Sequence, residues 1–404
     1  MWRAVGDRTR DLDRLAELLV GFGANLQPGQ ILGVTAYLGM EDAARAVARA
    51  AYGRGAKYVD VFWWDLLVKR ARLELAAEDT LDYVPPWIEQ RMDWLSEERA
   101  ARVSLTGTSG SVFDGVDPAR TGRDLLPYIS AVPRVVNART TNWTAGPCPN
   151  PAWAQRVHPE LEPDAALDKL WDEIVHVLRL DGDDPVAAWQ ERMKAILASA
   201  ARMTDRHFDA LHLVGPGTDL TIGLLPSSTW LGAEFTTTEG LTHYPNLPTE
   251  EIFTTPDPER VDGHVSATMP LELYGSYMNG IRIEFRGGRA VKADADEGAD
   301  ALRATLSKDD GASRLGEVAL VDKEGRIGPL GTVFYVTLLD ENAASHIALG
   351  NGYTFPVEDA ADRERVNRSD IHVDFMIGSN EVDVDGITRD GDRVPVLRGG
   401  AWQL

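Results

Sequence analysis

Five side chains able to do metal or proton chemistry fall close together late in the sequence: Glu341, His346, Tyr353, His372 and Asp374. The chain has only eight histidines in 404 residues, so two of them beside two acids and a tyrosine form a concentration that asks for a cause. The spacing His372-Val-Asp374 supplies one. On an extended strand, residues i and i+2 point to the same face, so this imidazole and this carboxylate converge on one point. A nitrogen and an oxygen donor placed that way suit a divalent cation, with no sulfur required.

Three further segments bring acids or frame the cluster. In PNLPTEEIFTTP, Glu250 and Glu251 are neighbours, so an extended backbone sends them to opposite faces and only one can join a shared site. The plainer reading of this pair is a solvent-facing acidic patch beside a Pro-bounded turn. In RLGEVALV, Glu317 stands at the mouth of an apolar strand; if buried there it needs a partner, and a metal would be one. The apolar run GTVFYVTLLD reads as a strand leading to Glu341 and His346, which suggests a polar centre at its end. Gly350 and Gly352 allow sharp turns before Tyr353. The Tyr353 hydroxyl could donate to a developing oxyanion, or the ring could be an ordinary half-buried aromatic.

The set Glu251, Glu317, Glu341, His346, His372 and Asp374 exceeds what one zinc needs and matches two ions that share a carboxylate. Such sites suit hydrolysis, because the ions bring the pKa of a bound water towards ~7 and clamp the tetrahedral intermediate. Rival chemistries lack their signatures: HExxH, GxSxG and the P-loop are absent, and nothing local marks Cys148 as a nucleophile. His243 and His264, on either side of the first acidic segment, are isolated histidines that carry little weight. Gly29 and Gly33 do not make the GxGxxG of a dinucleotide fold.

The elements that must position these groups change character along the chain. Leu12, Leu15, Leu18, Leu19 and Phe22 recur at helical spacing, predicting a first amphipathic helix over 7–22. ILGVTAY reads as a strand, 40–52 as a helix and YVDVFWWD as a second strand, a βαβ unit that calls for a parallel sheet. Further on, 85–101 and 163–201 read as helical, the latter broken at Asp181-Gly-Asp-Asp-Pro185, while VSLTGTSG, Tyr128-Ile-Ser-Ala-Val and VVNART carry strand and loop signals. Beyond about residue 205 the texture becomes short strands separated by glycine turns, Gly287-Gly288 and Gly391-Asp392 among them. The expected architecture is an α/β N-terminal domain with a parallel sheet, residues 1–215, and a β-rich α+β C-terminal domain carrying the metal site, residues 216–404.

Composition narrows the partners. A formal net charge of −22 repels phosphate backbones and argues against a nucleic-acid partner. One cysteine excludes an intrachain disulfide and a cysteine-based zinc site. The apolar patch LAELLVGF is interrupted by acids and reads as an amphipathic helix, not a leader, and no run nears the ~20 apolar residues of a membrane span. A cytoplasmic protein is expected.

The segments NLPTEEIFTTP, LGEVALV, ENAASHIALGNGY and SDIHVDFMIGS resemble, in order and nearly in spacing, the signature segments of the thermophilic metallo-aminopeptidase family, the aminopeptidase T and aminopeptidase S type. The resemblance covers essentially the whole chain, including the N-terminal QPGQ. It implies an exopeptidase that removes N-terminal residues from peptides with a free amine, through a metal-bridged hydroxide held by two divalent ions: zinc, cobalt or manganese. It puts the ligands on Glu251, Glu317, His346, His372 and Asp374, with Glu317 bridging, Glu341 a further candidate ligand, Tyr353 catalytic and Glu250 a general base or a support behind the ligands. It also implies a homodimer. The stretch between Tyr353 and His372 is somewhat short for the family, which bears on the pocket rim and side-chain preference. Two other readings compete: a mononuclear metal oxygenase on the same scaffold, which would favour a histidine-rich site, and a catalytically inactive peptide-binding protein, which would lack a ligand or the tyrosine.

Overall fold

The computed structural model describes residues 8–404 except 108–111, 114, 125, 127–130, 233 and 274–275, so the expected strand signal at Tyr128–Ser130 lies outside the described residues. The chain divides into two compact units, residues 1–189 with 233–248 and residues 190–232 with 249–404. Residues 215 and 216, where the sequence suggested a boundary, lie at the turn between strands Ala210–Gly215 and Thr218–Leu224, both in the second unit.

In the first unit, the amphipathic pattern forms an α-helix, Thr9–Glu17, that continues as a π-helical turn, Leu18–Gly23, burying Leu15, Leu18, Leu19 and Phe22. The βαβ expectation is met by strands Ile31–Tyr37 and Tyr58–Trp64 around helix Glu41–Gly53. They lie side by side in parallel and pair on into Ala101–Thr106 and Asn142–Pro147, giving a four-stranded parallel sheet.

One segment of this unit departs from the sequence reading and another adds to it. Asn142–Pro147 is a strand inside the Pro/Asn-rich run TNWTAGPCPNP, for which no element was expected. It holds because its outer edge is itself paired: Ala145 N donates to the Pro245 carbonyl, and Leu247 N donates to Ala145 O. In VVNART, residues 135–138 belong instead to helix Ala131–Ala138, since Ala131 and Val135, one helical turn apart, bury against Ile31, Ile88 and Leu95.

The second unit is antiparallel. Its eight-stranded sheet includes the hairpin Ala210–Gly215 with Thr218–Leu224 and the pair Arg282–Arg286 with Arg289–Asp294, whose Gly287 and Gly288 turn at φ of 53° and 79°. A second sheet of five strands runs in the order His372–Met376, His346–Gly350, Leu315–Val321, Glu251–Thr254, Leu231–Gly232, every pairing antiparallel. The run GTVFYVTLLD does not form the expected strand. It ends in a helical turn, Thr337–Asp340, followed by a 3-10 turn, Glu341–Ala343, because Asp340 Oδ1 accepts from Phe334 N at 2.8 Å and folds the segment onto itself. Among the described residues, no helix is long and apolar enough to cross a membrane.

Candidate metal centre

The five-stranded sheet decides which side chains can meet. Residues directly opposite in an antiparallel pair share a face, with Cβ atoms ~5 Å apart. Glu251 lies opposite Val321, Glu317 opposite Ala348, Ala348 opposite Asp374, and Gly350 opposite His372. Alternation along the strands then puts Glu251, Glu317, His346, His372 and Asp374 on one face of four adjacent strands. The residue between Glu317 and Asp374 is Ala348, and the one beside His372 is Gly350, so the middle of this face carries small side chains and leaves room for ligand atoms. Gly350 is required by its backbone, since φ is 98° and a Cβ would stand 2.3 Å from the Ile371 carbonyl oxygen.

The ligand atoms fall into two groups that share Glu317: Glu251, Glu317 and His346, and Glu317, His372 and Asp374. His346 Nε2 is 3.0 Å from Glu251 Oε2 and 3.9 Å from Glu317 Oε1. His372 Nε2 is 3.6 Å from Glu317 Oε2 and 3.4 Å from Asp374 Oδ1. Both imidazoles contact a backbone carbonyl through Nδ1, that of Ala344 at 3.1 Å for His346 and that of Asn351 at 2.7 Å for His372. A carbonyl can only accept, so Nδ1 carries the proton and Nε2 is left to offer its lone pair to a cation. Glu251 Oε2 and Asp374 Oδ1 are buried, and beside them stand the imidazole Nε2 atoms at 3.0 and 3.4 Å, with no other hydrogen bond reaching either oxygen. Buried carboxylate oxygens that face only imidazole Nε2 atoms fit divalent ions of the nitrogen- and oxygen-binding kind.

The electrostatics agree. Burial pushes Glu317 up to about 8, with Asp374 and Glu251 raising it further and the two histidines opposing. Burial opposes a charged His372, but Asp374 and Glu317 outweigh it and raise the imidazole to about 10. His346 likewise overcomes burial, chiefly through Glu251, and rises well above its ordinary value. Asp374 is held low against burial by His372. In the protein alone, protons on the imidazoles provide the positive charge that the acids demand, and cations binding there would displace them.

Tyr353 lies beside this face. Its ring centroid is 5.3 Å from His372, and it also leans on Phe355 at 5.0 Å and Phe253 at 6.2 Å. Thr255 Oγ1 donates to its carbonyl at 2.7 Å. Burial, then the charges of Glu317 and Asp374, push its hydroxyl well above the ordinary range, so it is a donor. Glu341 belongs to neither ligand group, yet burial and then the charges of Asp374 and Glu251 raise its carboxyl well above the ordinary range, so it lies within electrostatic reach of the cluster. Glu250 faces away: its carboxylate accepts from Arg192 Nε at 2.5 Å. His264 is exposed in the other sheet, opposite Asp219 and Glu284. His243 is in the first unit, near the rings of Trp143 and Phe235.

Sequence reasoning did not find the Ala344 and Asn351 carbonyls, which set the tautomers, or Arg192, Asn342 and Asp322 behind Glu250. Main-chain carbonyls leave no mark in a sequence, and Arg192 sits in an ordinary helix, Pro185–Arg206, far from the motifs.

Comparison with known proteins points the same way. A family model described as thermophilic metalloprotease (M29) matches residues 8–402. The chain is 42% identical to aminopeptidase T of Thermus aquaticus over 98% of this chain and 99% of that one. It is 36% identical to aminopeptidase PepS of Streptococcus thermophilus, covering 98% of both. The solved structure of wild-type AmpT from Thermus thermophilus superposes with a TM-score of 0.92 at 41% identity, over 98% of this chain and 100% of that one.

Proposed function

The chain belongs to the thermophilic metalloprotease (M29) family, and on that premise we propose that it is an aminopeptidase that removes N-terminal residues from peptides with two divalent ions. The observation that carries the two-ion reading is the pair of ligand groups meeting at Glu317, whose two oxygens address different histidines. Glu251 and His346 would hold one ion, His372 and Asp374 the other, with Glu317 between. Bound there, the ions supply a water acidified towards neutrality and a Lewis-acid hold on the substrate's amine and carbonyl. Zinc, cobalt and manganese all accept this donor set.

The protein's own groups do the rest. Tyr353 donates its hydroxyl proton as a hydrogen bond to the developing oxyanion. A carboxylate must take the proton of the attacking water and return it to the leaving amine. Glu341 fits this role better than Glu250, because it lies within electrostatic reach of the cluster and stands outside both ligand groups, whereas Glu250 is turned onto Arg192. Four carboxylates around two imidazoles disfavour a mononuclear oxygenase, and a full ligand set with the tyrosine in place disfavours an inactive binding protein.

The test is to strip metal with a chelator, return one divalent ion at a time, and follow release of an aminoacyl chromophore by wild type and Glu317→Ala. Hydrolysis should vanish on stripping, return with metal in wild type alone, and fail on N-acetylated peptides. Cleavage that survives both stripping and Glu317→Ala would sink the two-ion reading, and equal cleavage of acetylated peptides would sink the aminopeptidase reading.

A further inference from the structure

Behind the metal-binding face lies a second buried charged network. Arg192, on helix Pro185–Arg206, donates through Nε to Glu250 Oε2 at 2.5 Å, and through Nη2 and Nη1 to Asp322 Oδ1 and Oδ2 at 2.9 and 3.3 Å. All three side chains are under a tenth exposed. Their positions in the chain give the network its meaning. Glu250 directly precedes Glu251, Asp322 directly follows Val321, and Glu251 and Val321 are opposite one another at the end of the two central strands. One guanidinium therefore holds both chains where the ligand Glu251 enters the sheet.

Two more contacts tighten this end. Glu250 N donates to Asn342 Oδ1 at 2.7 Å, tying the ligand strand to the turn that carries Glu341. Trp402 Nε1 donates to Asp322 Oδ2 at 2.7 Å, and Lys323 N donates to the Gly400 carbonyl at 2.8 Å, so the last strand braces the same corner. Because neighbouring residues on a strand face opposite ways, holding the Glu250 carboxylate on one side fixes the direction of the Glu251 carboxylate on the other.

We propose that Arg192, with Glu250 and Asp322, is a positioning clamp that sets Glu251 for metal binding, so that Glu250 acts through the ligand next to it and not on the substrate. The assignment rests on the metal-site reading above. A charged pair of this kind, removed on one side, leaves buried carboxylates unpaired and loosens the corner, and supports behind metal ligands are typically worth about 10- to 100-fold in affinity.

The experiment measures cobalt affinity of the metal-free protein by competition with a chromophoric chelator, beside its melting temperature and its hydrolysis of an aminoacyl chromophore. Arg192→Met should weaken binding on the order of 10- to 100-fold, and Arg192→Lys, which keeps the charge without the fork, should fall between it and wild type. Glu250→Gln, which keeps an acceptor for Nε, should bind cobalt nearly as wild type does. Should Arg192→Met not fold, two variants replace it: Asp322→Asn, which takes away the carboxylate oxygen shared by Arg192 Nη1 and Trp402 Nε1, and Trp402→Phe, which removes the indole donor alone. Unchanged affinity in folded Arg192→Met, or in the two variants that replace it, overturns the proposal. So does a Glu250→Gln protein that binds cobalt normally but loses hydrolysis about 100-fold or more, the loss expected of a missing general base. A wild type that binds cobalt yet leaves free-amino peptides uncut would count against the aminopeptidase reading alone, since the affinity comparison stands without turnover.

Discussion

His372 turns Nε2 towards Asp374, 3.4 Å from Oδ1, while its Nδ1 is held by the Asn351 carbonyl at 2.7 Å. The two residues are i and i+2 on one strand, so both face the same side, and together they furnish two of the three members of one ligand group. On the two-ion reading proposed above, Asp374→Asn should therefore lower the metal content of the purified protein from two ions to one, with kcat reduced by roughly 100-fold or more through loss of one side of the hold on the carbonyl. Elemental analysis alongside turnover checks this. Two ions retained in Asp374→Asn would show that the second group is held elsewhere.

Tyr353 packs on His372 but belongs to neither ligand group, so its hydroxyl can be removed without taking a ligand. Tyr353→Phe should keep the ring contacts with Phe253 and Phe355 and the metal content, and lower kcat by about 100- to 1000-fold with KM little altered, the pattern of a lost oxyanion donor. A change confined to KM would place the hydroxyl in substrate binding instead.

Ala348 lies between Glu317 and Asp374 on the face proposed to bind metal and is fully buried. A larger side chain there occupies the space in which the ligand oxygens meet. Ala348→Leu should abolish metal binding, while overpacking costs about 1 to 3 kcal/mol of stability, which a denaturation midpoint will report separately from metal content. Normal metal content in Ala348→Leu would mean that this face is not where the ions bind.

Much of this was legible because the chemistry lies on strands. The period of two in His372-Val-Asp374 and the forced divergence of Glu250 from Glu251 are both properties of an extended backbone, and both appear in the structure. What the sequence could not supply is lateral register. Nothing in LGEVALV says that Glu317 faces Ala348, or that Ala348 faces Asp374; that follows from a bulge between Leu315 and Glu317 and from pairings between segments far apart in the chain. Local signals failed where tertiary contacts overrode them. GTVFYVTLLD is apolar enough for a strand, but Asp340 folds it into a turn, and VVNART carries strand signals while Val135 is buried from a helix.

His243 offers a test of the first unit that is independent of the metals. Its ring is buried near Trp143 and Phe235, and burial, with a smaller contribution from Arg102, lowers its pKa to about 4, only partly offset by the Leu241 backbone. A histidine depressed in the folded state is protonated first in the unfolded chain, so its stabilising effect is complete above the unfolded value near 6.5 and is lost as pH falls towards 4. Over that window it contributes at most about 3 kcal/mol, at 1.36 kcal/mol per pKa unit. Urea denaturation of the metal-free protein between pH 7.5 and 4.5 should therefore show a loss of stability that is shallower in His243→Phe, which fills the same apolar setting without a titrating group. Identical pH slopes in the two proteins would show that His243 is hydrated and titrates as it does in the unfolded chain.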